Sequence, residues 1–153
     1  MKVFGGSQTK MEAKNVADDS KCHMDDILSL DISADRKTVV TGQVGKAPSI
    51  HVWDVDTMES KCFFKLKEGA RGVAGVAISP CSRYIACVDL HNDHHVYIYN
   101  IKKGGKKLLA IEGSKERIVG VAWSKKINDL RFCTVGVKEV KFWNPADATK
   151  RLF

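Results

Sequence analysis

Histidine and aspartate side chains crowd together once in this sequence, in the segment HNDHH at residues 91–95. Imidazole nitrogens and carboxylate oxygens are common ligands of zinc and other transition metals, so a metal site is the first chemistry to consider. The candidate ligands would be His91, Asp93, His94 and His95. The segment falls in a predicted turn, however, and strand alternation would send His94 and His95 to opposite sides of the sheet. We therefore interpret it as a polar turn and expect no bound metal.

Motifs that are typical of enzymes are missing from the sequence. It has no glycine-rich phosphate-binding loop, no nucleophile elbow and no HExxH segment. Its five cysteines are scattered without a CxxC pair, which favours buried free thiols in a reducing compartment over disulfides or a zinc site. We expect a cytoplasmic protein without catalytic residues and without a cofactor.

The composition is that of one ordinary soluble domain, with 153 residues of which 44% are hydrophobic. The longest apolar runs, such as VAGVAI at 73–78, are far shorter than the roughly 18 residues that a membrane-spanning helix requires. Residues 1–20 also lack the apolar centre of a signal peptide. The composition therefore argues against a membrane protein and against export.

The elements that must position any functional residue repeat along the chain. Three similar strand-like segments each carry an aromatic residue near the end, at Trp53, Tyr99 and Trp143. These residues are separated by 46 and then 44 positions. The segments are SIHVWDV at 49–55, HVYIYNI at 95–101 and EVKFWNP at 139–145. Apolar residues alternate in a second set of segments, which is the pattern of β-strands. Small residues such as Gly75 and Ala77 at the intervening positions indicate packing on both faces. The second set is ILSLDIS at 27–33, VAGVAIS at 73–79 and IVGVAWS at 118–124, and the remaining strand-like segments are 38–42, 62–66, 84–88, 107–111 and 131–136.

Four short strands in about every 45 residues, with Trp-Asp at the end of the third, resemble the blade of a WD40 β-propeller. The prediction is an all-β chain of about three four-stranded antiparallel blades, at 22–67, 68–112 and 113–153. The third blade is expected to stop inside its last strand, since RLF at 151–153 lies where that strand would begin. Residues 1–21 are an N-terminal segment, which we interpret either as separate or as a strand of a preceding blade. Because a closed propeller has about four to eight blades, further blades from the same or another chain are expected as partners.

Typical WD repeats hold each blade together with a buried hydrogen-bond network of His, Ser or Thr, Asp and Trp. A histidine precedes the first strand only at His23, and no aspartate stands in the turn GQVGKAP at 42–48. With only His23, Thr41 and Trp53 available as members, we expect an incomplete network in all three blades. The resemblance assigns structural WD positions to His23, Thr41, Trp53, Asp54, Tyr99 and Trp143.

Several segments are closer to one family than to WD40 proteins in general. Four of them resemble the echinoderm microtubule-associated protein-like (EMAP-like) family. They are HMDDILSLDIS at 23–33, TVVTGQVGKAPSIHVWD at 38–54, RGV at 71–73 and TVGVKEVKFW at 134–143. The resemblance covers residues 22–144, with Cys22 in place of the usual glycine. It implies a non-catalytic module that binds microtubules or tubulin at the cytoskeleton. A generic WD40 protein-interaction scaffold and a ciliary propeller protein of the axonemal doublet wall remain alternatives.

Positive charge is concentrated in the second part of the chain. The net charge is +7, residues 1–60 hold 7 basic and 10 acidic groups, and residues 61–153 hold 18 and 8. An acidic tubulin tail would complement the lysine clusters, and a merely solvated lysine-rich surface is the alternative. This pattern argues against nucleic acid as a partner, because lysines in hairpins with few aromatic neighbours offer no platform for stacked bases. The candidate partner-binding residues, on loops expected to share one rim, are Lys102, Lys103, Lys106, Lys107, Lys125 and Lys126.

Overall fold

The computed structural model describes residues 22–145, and this part of the chain forms eleven strands in three antiparallel sheets. Sequential strands lie side by side in each sheet. We call the sheets blades 1, 2 and 3. Blade 1 contains β1 (Ile27–Ile32), β2 (Thr38–Gln43), β3 (Ser49–Asp54) and β4 (Ser60–Lys65). Blade 2 contains β5 (Val73–Ile78), β6 (Tyr84–Asp89), β7 (Val96–Asn100) and β8 (Lys106–Ile111). Blade 3 contains β9 (Ile118–Trp123), β10 (Phe132–Gly136) and β11 (Glu139–Trp143).

The all-β prediction is confirmed, and each segment that was expected to form a strand does so with ends within about two residues. A short 3₁₀ turn at Ile101–Lys103, between β7 and β8, was not foreseen. The N-terminal segment 1–21 and the final RLF lie outside the part of the chain that the structure describes. The blade boundaries at 67/68 and 112/113 stay predictions.

Each sheet packs face to face on the next, so every blade has two distinct faces. We call the face that carries the third-strand aromatic residue (Trp53, Tyr99 or Trp143) the head face and the opposite one the tail face. The tail of blade 1 packs on the head of blade 2, and the tail of blade 2 packs on the head of blade 3. The first core joins Val40, Ile50 and Val52 to Val76, Ile78, Ile85, Cys87, Tyr97 and Tyr99, and the second joins Ala77, Ala86, Val88, Val96 and Ile98 to Ile118, Trp123, Phe132 and Trp143.

Hydrogen bonds between the first strands of the blades fix how the sheets are stacked. The Ser29 hydroxyl donates to the Val73 carbonyl over 3.2 Å at one end of β5, and the Ile78 N–H donates to Asp31 Oδ2 over 2.7 Å at its other end. Trp123 Nε1 donates to the Ala77 carbonyl over 2.8 Å, which ties the ends of β5 and β9 together. β1, β5 and β9 therefore run in the same direction. The loops after first and third strands share one end of the stack, which we call the first rim, and the remaining loops form the second rim.

Close approach of the blades requires small residues where their strands meet. A Cβ added to Gly42 would lie 2.5 Å from Val73 Cγ1, so only glycine fits there. Ala77 is buried between blades 1 and 3, which confirms the expected packing on both faces of blade 2. The matching Ala122 on the tail side of blade 3 is exposed.

The five cysteines are free, as expected, but the expectation of buried thiols was wrong for four of them. Cys87 is buried, whereas Cys22, Cys62, Cys81 and Cys133 are half-buried, because they lie at strand edges, in a turn or on an open face. Within residues 22–145, no helix has the length and apolar character needed to cross a membrane.

Candidate interaction rim

Four of the six candidate lysines are presented by the turn between β7 and β8 on the first rim. The side chain of Asn100 caps this turn by accepting a hydrogen bond from the Lys103 N–H over 3.2 Å. Gly104 and Gly105 then adopt the left-handed conformation, with φ of 62° and 78°, which reverses the chain into β8. The side chains of Lys102, Lys103, Lys106 and Lys107 are all exposed. The turn thus displays four ammonium groups within six residues.

Packing against blade 1 holds this lysine turn in place. Gly105 is buried and lies so close to the Phe64 ring that an added Cβ would collide with it. The same ring stacks on Tyr99, with ring centroids 4.3 Å apart. The ammonium of Lys107 also lies 5.9 Å from the centre of the Tyr97 ring, within range of a cation–π contact. The turn is therefore anchored to the junction of blades 1 and 2.

Lys125 and Lys126 occupy the loop between β9 and β10, on the same rim. The Ser124 hydroxyl donates to Asp129 Oδ2 over 2.9 Å, and the Arg131 guanidinium pairs with the same oxygen at 2.7 Å. The bonds from Arg131 hold the pKa of Asp129 well below its usual range. The only acidic residue of the loop is thereby neutralised by Arg131, and both lysines remain exposed.

Blade 1 gives the first rim an acidic end. Its loop from β3 to β4 carries Asp54, Asp56 and Glu59. Asp54 accepts hydrogen bonds from the Asp56 and Thr57 N–H groups over 2.9 and 3.0 Å. It also pairs with the Lys61 ammonium at 2.8 Å, and these contacts, Lys61 first, lower its pKa to about 2. The rim is thus polarised, from an acidic blade 1 to a lysine-rich blade 2 and blade 3.

None of the six candidate lysines forms an ion pair within the described range 22–145. The pairs found there involve Lys61, Arg131, Lys141 and two histidines instead. No carboxylate in this part of the chain therefore occupies the candidate lysines. That a partner binds to these lysines stays a prediction.

The structural WD positions of blade 1 form a more complete network than the sequence suggested. Trp53 Nε1 donates to the Thr41 hydroxyl oxygen over 2.7 Å, and Thr41 Oγ1 lies 2.5 Å from His23 Nε2. His23 Nδ1 lies 2.8 Å from Gln43 Oε1, and the Gln43 amide nitrogen donates to the Ala47 carbonyl over 3.3 Å. Gln43 thus fills the place for which an aspartate was sought.

The protonation of His23 follows from these contacts. Burial lowers the pKa of His23, and the hydrogen bond to Gln43 offsets this only in part, so the imidazole is neutral. Nδ1 donates to the Gln43 oxygen, and Nε2 therefore accepts from the Thr41 hydroxyl. The hydrogen bonds therefore all run in one direction. Trp53 donates to Thr41, Thr41 to His23, His23 to Gln43 and Gln43 to Ala47. Sequence reasoning missed Gln43 because only an acidic side chain was expected there.

Blade 3 repeats half of this arrangement, which the sequence analysis also missed. Trp143 Nε1 donates to the Thr134 hydroxyl oxygen over 2.9 Å. Thr134 is nine residues before Trp143, whereas Thr41 is twelve residues before Trp53. The hairpin between β10 and β11 is shorter by three residues than the one between β2 and β3, which hides the match in the sequence. The equivalence of Thr134 and Thr41 is recognised from the strand register and not from the sequence spacing.

Blade 2 has a different polar centre. Tyr99 is buried against Phe64 and Tyr97, and Cys87 takes the place of Thr41. Asp89 is fully buried and accepts hydrogen bonds from the Tyr97 hydroxyl and from the His95 N–H, both over 2.8 Å. Burial, and then Asp89, raise the pKa of Tyr97 well above its usual range, so the phenol stays protonated as the donor.

The histidine-rich segment lies in the turn between β6 and β7, as predicted, and is organised by this carboxylate. Asp89 Oδ1 also accepts from the His91 N–H over 3.2 Å, and His94 Nδ1 lies 3.2 Å from the Asp89 carbonyl oxygen. His95 Nδ1 lies 3.5 Å from Asp89 Oδ2. In the described part of the chain, no group of three or more His, Cys, Asp or Glu side chains is placed to hold a metal ion.

Comparison with known proteins relates this chain to a WD repeat-containing protein and to the echinoderm microtubule-associated proteins. It is 39% identical over 151 residues to the ciliary WD repeat-containing protein ctxp80 of Euplotoides octocarinatus, which covers 98% of this chain and 21% of that protein. It is 30% identical over 131 residues to the 77 kDa echinoderm microtubule-associated protein of Strongylocentrotus purpuratus, covering 80% of this chain and 19% of that protein. No protein-family model matches the chain.

The fold is shared with solved WD40 domains. The crystal structure of the RRP9 WD40 repeats superposes with a TM-score of 0.69 at 19% identity, covering 82% of this chain and 37% of that chain. The structure of U3-55K gives the same TM-score at 20% identity, with 82% and 38% covered. The resemblance recognised in the sequence is therefore confirmed. The chain spans about a fifth of the length of the two sequence relatives.

Proposed function

Because the chain is a WD40-repeat β-propeller segment related to the echinoderm microtubule-associated proteins, we propose that it is a non-catalytic interaction module that binds microtubules. The contact surface is the lysine-rich part of the first rim. The partner is the acidic tail of tubulin. Other proteins bind through the remaining parts of the rims, as in a general WD40 scaffold.

The observation that carries this proposal is the arrangement of charge on the first rim. Six exposed lysines lie on neighbouring loops of blades 2 and 3, without ion pairs to any residue in the range 22–145. Within residues 22–145, the acidic residues of the same rim belong to blade 1, apart from Asp129, which is paired with Arg131. An extended acidic peptide can therefore contact the lysines without meeting a facing carboxylate. Such contacts add modest, salt-screened attraction and a faster association rate.

The relatives point to the same setting. One is named as ciliary and another as microtubule-associated. For this chain we propose a cytoplasmic, cytoskeletal location, with the ciliary axoneme as its specific form. Immunofluorescence would detect it along axonemes, and a diffuse signal that does not overlap with tubulin would contradict the location.

A generic protein-interaction scaffold is the rival function, since a fold does not fix its partner. Nucleic acid is a poorer candidate, because the lysine turn lacks exposed aromatic rings for base stacking. Failure of the chain to bind either microtubules or free tubulin would leave the scaffold function.

Charge reversal on the rim tests the contact surface. Replacing Lys102, Lys103, Lys106 and Lys107 by Glu should weaken co-sedimentation with microtubules by about ten- to a hundredfold, since each lost exposed pair is worth up to about 1 kcal/mol. Added salt should mimic the loss. The matched control changes four basic residues of the second rim to Glu, namely Lys46, Lys115, Arg117 and Lys138, and should bind like the unchanged chain. Equal weakening by both sets would mean that binding reflects net charge alone.

A further inference from the structure

The turns between the first and second strands of the three blades share one hydrogen-bond pattern. In each turn, the serine that follows the first strand bonds to a side chain two positions before the last residue of the turn. The pairs are Ser33 with Asp35 (2.5 Å), Ser79 with Cys81 (3.3 Å) and Ser124 with Asp129 (2.9 Å). Cys81 thus occupies the position that a carboxylate fills in blades 1 and 3.

The last residue of each of these turns is a cation, and in blade 2 this cation has lost its acidic neighbour. The three residues are Lys37, Arg83 and Arg131. Asp129 pairs with the Arg131 guanidinium at 2.7 Å, and Lys37 lies close enough to Asp35 to attract its carboxylate. Arg83 instead forms a hydrogen bond with the side chain of Cys81, and a thiol is only a weak acceptor. None of the ion pairs formed within residues 22–145 involves Arg83.

Arg83 also lies between the two groups of candidate lysines on the first rim. Its carbonyl oxygen accepts a hydrogen bond from the Ile101 N–H over 2.9 Å, which joins its turn to the lysine turn. On the other side, Pro80 of the same turn and Lys125 line one cavity. The turn at 79–83 holds no acidic residue, and Arg83 is exposed. Positive charge therefore continues without interruption from the lysine turn through Arg83 to the lysines of blade 3.

We propose that Arg83 is the carboxylate-recognising residue of the first rim and binds one aspartate or glutamate side chain of an acidic peptide through two parallel hydrogen bonds. The inference rests on the proposed function and adds to the same surface a residue that the lysine pattern did not include. A guanidinium offers its donors in a fixed planar fork that matches a carboxylate, whereas a lysine ammonium acts as a point charge. Arg83 Cζ lies 5.7 Å from the centre of the Tyr84 ring, within range of a cation–π contact that steadies the fork.

Titration with a fluorescent oligoglutamate peptide tests the role of the guanidinium. Arg83→Gln should weaken peptide binding by about tenfold, because hydrogen bonds between charged groups are lost. Arg83→Lys keeps the charge but not the fork, and should still weaken binding by about threefold or more. The matched control is Arg117→Lys, at an exposed arginine of the second rim, which should bind like the unchanged chain. Circular dichroism of each variant checks that the fold is kept.

Restoring the carboxylate of blades 1 and 3 tests the comparison of the turns. Cys81→Asp should pair with Arg83 and weaken peptide binding about as much as Arg83→Gln does. In the Arg83→Gln background the same change should add much less, because its partner is gone. Cys81→Ser introduces no charge and should bind like the unchanged chain. An equal loss from Cys81→Asp in both backgrounds would mean that added negative charge alone weakens binding, and would overturn the proposal.

Co-sedimentation of the same variants with microtubules separates this inference from the proposed function. A chain that binds the peptide through Arg83 but does not bind microtubules would keep the inference and contradict the proposed function. Microtubule and peptide binding that are both unchanged in Arg83→Gln would keep the proposed function and overturn the inference. Failure of the unchanged chain to bind the peptide would overturn the inference as well.

Discussion

The tail faces of blades 2 and 3 are built from the same kinds of residues, but only the first of them is covered. Val88, Val96 and Ile98 are buried under blade 3, while their counterparts Val135, Val140 and Phe142 are exposed. Strand pairing and alternation are the same in both blades. Burial of a propeller position is therefore set by the neighbouring blade and not by the strand that carries it. Equal substitutions on the two faces should have unequal effects.

The largest difference is expected between Ile98→Ala and Phe142→Ala. Ile98 is enclosed between two blades, so its truncation leaves a cavity and should lower the free energy of unfolding by about 2–5 kcal/mol. Phe142 is 85% exposed and no blade formed by residues 22–145 covers it, so its truncation should change that free energy by less than about 0.5 kcal/mol. Urea unfolding measures both, at concentrations where the chain is monomeric. Similar losses in the two variants would mean that the tail of blade 3 is covered in solution.

A smaller difference is expected between the polar networks of blades 1 and 3. Thr41 is bonded to both Trp53 and His23, whereas Thr134 is bonded to Trp143. The shape-conserving change Thr41→Val should cost about 2–3 kcal/mol, because it leaves an indole N–H and an imidazole nitrogen without their partner. Thr134→Val should cost about 1 kcal/mol. A larger loss of stability for Thr134→Val than for Thr41→Val would contradict the stabilising contribution that we assign to the hydrogen bond between Thr41 and His23.

The smallest effect concerns the acidic end of the first rim in blade 1. The pKa of Asp54 falls from 3.8 to about 2, chiefly through Lys61. Because its pKa is lower in the folded chain, this carboxylate stabilises the fold above about pH 4, and the contribution disappears as the pH falls through about 2. Asp54→Asn should remove this part of the acid sensitivity, so that its Tm falls less than that of the unchanged chain between pH 5 and pH 2. An equal fall in Tm between pH 5 and pH 2 in the two proteins would rule out this contribution of Asp54.

The blade pattern was predictable from sequence because strand alternation and the aromatic position recur at nearly constant spacing. The lysine turn was predictable for the same reason, since it lies between two recognisable strands. Thr134 was not, because the shorter hairpin before β11 shifts it by three residues relative to Trp143. Nor was the buried carboxylate of Asp89, which organises a turn whose histidines had drawn attention as metal ligands. Contacts that depend on strand register or on a folded turn cannot be predicted from the spacing of residues in the sequence.

Binding to microtubules with and without the acidic tubulin tails tests the central claim most directly. The chain should co-sediment with intact microtubules, and its bound fraction should fall by at least about tenfold once the tails are removed by limited proteolysis, because the six lysines then lose their partner. The variant with Lys102, Lys103, Lys106 and Lys107 changed to Glu should no longer distinguish the two kinds of microtubule. Equal binding of the unchanged chain to intact and tail-free microtubules, or no binding to either, would contradict the proposed role of the lysine-rich rim.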